Sequence, residues 1–202
     1  MSGVPILVEA SDLRVLVVGG GAVATRKAKQ LSQAGATVRI VAPTITDELE
    51  ALVIERGLVV ARRAYECEDI GDAHLIIAAT DDRVVNASIA RDAEGANRLL
   101  NAADHSDDGN FAMMAAHRRG PLTIGVSAGG VPAAAVRIRD AIAARFDARY
   151  GDALRELADV RKRMIAGGEA RRWREESPAL IDEEFCDAVE RGALSQRIAE
   201  WP

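Results

Sequence analysis

Between Leu13 and Leu31 the chain reads LRVLVVGGGAVATRKAKQL: an apolar run of strand length, three consecutive glycines, and a helical pattern that begins at once. Gly19, Gly21 and Ala24 fit the G-x-G-x-x-G/A fingerprint of a dinucleotide site. In that reading Gly19 makes the tight turn, Gly21 lets the backbone approach a pyrophosphate, and Ala24 allows close helix packing. Ala22 and Val23 open the helix, whose free N–H groups and positive dipole end face the phosphates. Glycine-rich strings arise by chance, but a purely structural strand-to-helix turn does not account for three glycines in a row.

The fingerprint is usually completed by an acidic residue about 20 residues on, at the end of the second strand. None stands there. The strand ATVRIV runs into Ala42, Pro43 and Thr44, so Pro43, Thr44 and backbone groups must meet the ribose, and the position leaves NAD against NADP undecided.

Strand and helix patterns alternate through the first half: helix 23–34, strand 37–42, helix 46–55, strand 58–62, strand 74–79, helix to 96, and strand 98–102. This predicts an α/β protein with a Rossmann-like parallel sheet. In such sheets ligands sit beyond the carboxyl ends of the strands, so Gly19, Thr80, Asp81 and Asp104 are expected to share one cleft. Past Gly109 two further strands, 111–116 and 122–126, are expected around the polar turn His117 to Pro121. Pro132 suits the first turn of a long helix reaching about Arg145, and the rest reads as helical.

Composition narrows the class. With 49% hydrophobic and 28% charged residues in a 202-residue chain, a sizeable core plus a smaller appended unit is expected. Aromatics make up only 3%, so aliphatic residues and alanine must build most of that core. Cys67 and Cys186 stand far apart and offer no disulfide framework, which fits a reducing cytoplasm. Neither a secretory leader nor an apolar span of membrane length is visible. A net charge of −5 argues against broad nucleic-acid binding.

Taken in order, GGGAVATRKAKQL, AATDD (78–82), Asn101 with Asp104, RRGPLTIGVSAGG (118–130) and GEARRW (168–173) resemble the precorrin-2 dehydrogenase family, which includes the N-terminal module of sirohaem synthase. The resemblance implies NAD-dependent oxidation of precorrin-2 to sirohydrochlorin, with ferrous iron insertion in some members. It also implies a homodimer. Residues 1–112 would form the NAD-binding domain, 113–148 a dimerisation segment of strands plus helix, and 149–202 a small C-terminal helical domain.

The chemistry needs a base for the proton released as the macrocycle becomes more conjugated. Asp104 matches the family's catalytic aspartate; otherwise it is a turn or cap residue. His105, which the family does not demand, reads as a turn residue or an aid to proton transfer. No protein metal cage is apparent. Asn101, Ser127, Arg118, Arg119, Arg171 and Arg172 are the substrate-binding candidates, because guanidinium forks suit a polycarboxylate. Arg161, Lys162, Arg163 and Arg174 extend the basic cluster, yet Glu169, Glu175 and Glu176 leave a solvated helix face as the other reading. Ser127-Ala128 and the shortened Gly129-Gly130-Val131-Pro132 depart from the family pattern, and Val136 stands where an arginine is common. Those departures leave iron insertion open. Neither Tyr65 nor Tyr150 is followed by Lys in a Tyr-x-x-x-Lys, which disfavours a short-chain dehydrogenase. A non-enzymatic NAD-sensing module remains the alternative.

Overall fold

A computed structural model describes residues 3–103 and 108–201 and divides the chain into two compact units, Met1–Met113 and Met114–Pro202. The first contains β1 (Arg14–Val18), α1 (Ala22–Gln33), β2 (Thr37–Val41), α2 (Asp47–Arg56), β3 (Val59–Ala61), β4 (Leu75–Ala78), α3 (Arg83–Gly95) and β5 (Leu99–Ala102). All five strands pair in parallel in the order β3-β2-β1-β4-β5. This is the Rossmann-like α/β sheet expected from the alternation of patterns.

The apolar runs have a direct cause, because the central strands are covered on both faces. Val15 and Val17 of β1 join Val38, Ile40, Leu75 and Ile77 on one face, against Ala24, Ala28 and Leu31 of α1 and Leu49 and Leu52 of α2. Leu16, Val18, Ile76 and Ala78 point the other way, against Ile89 and Ala93 of α3. Period-two alternation therefore distributes one continuous hydrophobic run between two cores.

The second unit contains β6 (Ala115–Arg119), β7 (Leu122–Val126), α4 (Pro132–Arg145), α5 (Ala148–Ala166), α6 (Ala170–Glu176), α7 (Phe185–Arg191) and α8 (Leu194–Glu200). Pro132 occupies the first turn of α4. The strand expected at 111–116 is displaced: β6 starts at Ala115, while Phe111 and Met113 pack against the core of the first unit. The connecting turn is also shorter than expected. Arg119 pairs with Leu122, leaving Gly120, at φ +55°, and Pro121 as the two turn residues. A positive φ followed by the fixed negative φ of proline suits a tight hairpin. Among the described residues, no helix is long and apolar enough to cross a membrane.

Candidate functional site

The three glycines have three different surroundings. Gly19 follows β1 at φ +124°, and a side chain there would collide with the carbonyl group of Ala79. Its N–H donates to the Val41 carbonyl at 2.9 Å, tying the ends of β1 and β2 together. A side chain on Gly20 would strike the Thr44 carbonyl and come within 2.9 Å of the Ile45 Cα. Gly21, the N-cap of α1, has an ordinary extended backbone (φ −84°, ψ −174°), and a Cβ there would have no neighbour within 4 Å. Packing demands the first two glycines, whereas nothing described in the chain demands the third.

Gly21 therefore keeps open the space at the N-terminus of α1. No side chain caps that terminus, so its first N–H groups face outward with the positive end of the helix dipole. Ala22 and Val23 form the exposed first turn, and Ala24 is fully buried behind them against the sheet. An anionic group approaching here meets backbone donors with no side chain in the way, which fits a dinucleotide pyrophosphate.

On one flank, Pro43 and Thr44 are exposed just after β2. Thr46 donates its N–H to the Gly20 carbonyl at 3.0 Å, and its hydroxyl caps α2 by accepting from Leu49 N–H. The arginines that follow β3 are already engaged. Arg62 pairs with Glu50, and Arg63 grips the buried Asp69 carboxylate at 2.6 and 2.7 Å. Those hydrogen bonds hold Asp69 below the usual carboxylate range, with Arg39 adding to the effect.

On the other flank, the β4 end is fastened by a residue that the sequence pattern does not single out. Asn86, on α3 and 5% exposed, accepts from the Thr80 hydroxyl at 2.8 Å and N–H at 3.3 Å, and donates to the Thr80 carbonyl at 3.0 Å. Thr80 is thus a hub of the turn, and exposed Asp81 is presented beside it. Asp82 caps α3 by accepting from Val84 and Val85 N–H. At the end of β5, Asn101 donates to the Phe111 carbonyl at 3.1 Å, and Ala103 N–H bonds the Ala78 carbonyl at 2.9 Å. Asp104 and His105 lie outside the described residues.

Gly19, Gly21, Ala22, Val23, Ala24, Pro43, Thr44, Thr80, Asp81 and Asn101 therefore all belong to the carboxyl edge of one sheet or the helix starts that follow it. The remaining candidates belong to the second unit. Arg118 and Arg119 end β6, both exposed; Arg119 donates to the Arg118 carbonyl at 2.9 Å and its charge acts on the Asp147 carboxylate. Ser127, just past β7, is also exposed. Arg171 pairs with Glu175 at 2.7 Å, and Arg172 with Glu169 and Glu176 at 3.0 Å each. Those two guanidiniums are partly neutralised by their own helix and its N-cap. Arg161, Lys162, Arg163 and Arg174 are all exposed.

Among the described residues no group of three His, Cys, Asp or Glu side chains is arranged to hold a metal ion. His74 contacts Arg14, and buried His117 donates its Nε2–H to the Phe146 carbonyl at 2.5 Å. Gly20, Thr46 and Asn86 join the site as positioning elements. Of these, only Gly20 carries a signal in the sequence, as the middle member of the glycine run.

Comparison with known proteins agrees with this geometry. The model of an NAD(P)-binding family, NAD_binding_7, matches residues 6–115. Siroheme synthase of Saccharophagus degradans is 34% identical over 85% of this chain and 38% of its own length. Siroheme synthase of Pseudomonas entomophila is 34% identical over 98% of this chain and 41% of its own. The chain thus spans about two fifths of the length of these relatives. The solved structure of SirC, precorrin-2 dehydrogenase, superposes with a TM-score of 0.76 at 28% identity, covering 98% of this chain and 100% of that one.

Proposed function

The chain belongs to the precorrin-2 dehydrogenase family of NAD(P)-binding proteins, and on that premise we propose that it oxidises precorrin-2 to sirohydrochlorin with NAD, a step towards sirohaem. The observation that carries this reading is the likeness to SirC over the whole chain, joined to a glycine turn whose open space at Gly21 nothing described in the chain requires. In the net reaction the substrate loses a hydride and a proton, and its ring gains a double bond. NAD supplies the hydride acceptor.

The chain's own groups supply the rest. Backbone donors at Gly21, Ala22 and Val23 hold the pyrophosphate; Pro43 and Thr44 border one ribose, and Thr80 and Asp81 border the other end of the dinucleotide. Asp104 takes the proton, and Asn101, by its bond to Phe111, steadies the strand end that leads to it. Arg118, Arg119 and Ser127 bind substrate carboxylates. Arg171 and Arg172 do so only in competition with Glu169, Glu175 and Glu176.

The same reading extends to a homodimer paired through residues 113–148 and to a cytoplasmic location. Ferrous iron, if inserted into the product, would be a substrate bound chiefly by ring nitrogens.

Anaerobic incubation with precorrin-2 and NAD tests the proposal. Sirohydrochlorin absorbance should appear together with nicotinamide reduction, and Asp104→Asn should remove both while NAD still binds. NAD binding without either signal would overturn the enzymatic reading in favour of an NAD-sensing module. Iron added afterwards tests insertion, and light scattering of the eluting protein tests the dimer.

A further inference from the structure

Thr25, on the first turns of α1, is 1% exposed. Its hydroxyl lies 2.9 Å from the Gly21 carbonyl and 3.2 Å from the Thr46 hydroxyl. Back-bonding of a helical threonine to the carbonyl four residues earlier is common; the second partner, on a different loop, is not part of that pattern. Each hydroxyl has one proton, and the Gly21 carbonyl can only accept. Thr25 therefore donates to Gly21, and Thr46 must donate to Thr25. Thr46 in turn accepts from the Leu49 N–H at 3.3 Å. The result is a relay with a single direction: Leu49 N–H to Thr46, Thr46 to Thr25, Thr25 to the Gly21 carbonyl.

A parallel bond runs beside it, from Thr46 N–H to the Gly20 carbonyl at 3.0 Å. The Gly20 carbonyl is thus anchored directly to the β2–α2 connection, and the Gly21 carbonyl, which also accepts the ordinary helical bond from Thr25 N–H at 3.0 Å, is linked to it through the Thr25 hydroxyl. Peptides are planar and trans, so anchoring these oxygens turns the N–H groups of Gly21 and Ala22 to the opposite side, where Gly21 leaves open space.

We infer that Thr25 and Thr46 are positioning residues for the dinucleotide, a buried hydroxyl relay that aims the pyrophosphate-binding N–H groups and locks them to the loop bordering the adenosine ribose. This rests on the nucleotide-binding reading of the glycine turn. It assigns the contribution to the adenosine diphosphate half of the cofactor and not to the reacting ring.

Thr25→Val keeps the shape and removes the proton. Calorimetry at a temperature where the variant is fully folded should show the Kd for NAD raised about tenfold, equivalent to about 1.4 kcal/mol, with the Kd for ADP raised by the same factor. Thr25→Ser, which restores the hydroxyl, should bring both within about twofold of the parent. Thr46→Val should reproduce the loss, and the double variant should lose less than the sum, since the two share one chain of bonds. Unchanged affinity for NAD and ADP in folded Thr25→Val overturns the relay. Should that variant fail to fold, unchanged affinities in Thr46→Val overturn it equally. A parent chain that binds neither NAD nor ADP would instead sink the nucleotide site itself.

Discussion

The two units solve the same packing problem with different side chains. In Met1–Met113 the sheet and its helices are filled by valine, isoleucine, leucine and alanine. In Met114–Pro202 rings join the aliphatics: Tyr150 is buried with Leu157, Leu180, Val189 and Leu194, and Phe146, Trp173, Phe185 and Trp201 pack against the cluster. Trp173 meets Trp201 edge-on at 5.8 Å, and Phe146 lies 4.7 Å from Tyr150. The difference follows from element size. A parallel sheet offers long, regular, two-sided surfaces that branched aliphatics fill well, while α6, α7 and α8 have seven residues each. Helices so short bury little individually and depend on tertiary packing, and large rings supply the most contact per residue.

Their polar anchors differ as well. The first unit places one carboxylate, Asp69, at 3% exposure between Arg63 and Arg39. The second gathers its groups around the more accessible Glu190, whose carboxylate accepts from Arg145 at 2.7 Å and from the Tyr150 hydroxyl at 2.8 Å, while its carbonyl accepts from Arg149 at 2.6 Å. Burial and this bonding push the Tyr150 hydroxyl pKa well above its ordinary value.

The contrast breaks most readily at the glycine turn. Gly20→Ala forces a methyl against the Thr44 backbone and should cost more than about 3 kcal/mol, read as a collapse of the thermal midpoint. Gly21→Ala enters open space at an ordinary φ. The unfolded-state gain of about 0.5 kcal/mol is opposed by the preference for glycine over alanine at an N-cap, so stability should change by less than about 1 kcal/mol, while calorimetry shows NAD affinity falling at least tenfold. Equal stability losses in the two variants would show that the third glycine belongs to the fold after all.

Next comes the buried anchor of the first unit. Asp69→Asn leaves Arg63 and Arg39 facing a neutral amide and should cost about 2–3 kcal/mol in denaturant titration, less than a wholly buried pair because both arginines reach solvent. Because the folded carboxyl is held below its unfolded value of about 3.9, its stabilisation is complete above that pH and is lost as pH falls through the folded value. The variant should therefore lose part of the parent's acid sensitivity below about pH 4.

Tyr150→Phe, its counterpart in the second unit, removes one bond to a carboxylate that keeps Arg145 and should cost about 1 kcal/mol. A loss larger than that of Asp69→Asn would reverse the ranking of the two anchors. Smallest of all, Arg171→Ala removes an exposed pair within one helix and should change stability by less than about 0.5 kcal/mol. A raised substrate KM in that variant would assign Arg171 to carboxylate binding despite Glu175.

Much of the first unit is legible in the sequence because its signals are local. Apolar runs bounded by turn residues mark β1, β2 and β4, and the fingerprint places Gly19, Gly21 and Ala24 where a strand becomes a helix. Pro132 announces α4 for the same reason, its ring fixing φ without needing a partner. The hairpin is less legible, because the apolar residues before it read as strand, while the core of the first unit captures Phe111 and Met113 and β6 begins only at Ala115.

The sequence by itself determined the alternation of strands and helices and the glycine turn between β1 and α1, since each depends on residue periodicity or on the conformational freedom of a few neighbours. Tertiary structure alone decided that Gly20 is held by the Thr44 backbone, that Thr25 meets Thr46, that Asn86 grips Thr80, and that Asp69 is buried between two arginines. Those relations join residues from different elements, and the distance between two side chains in a folded sheet is set by strand order and register, which no local pattern contains.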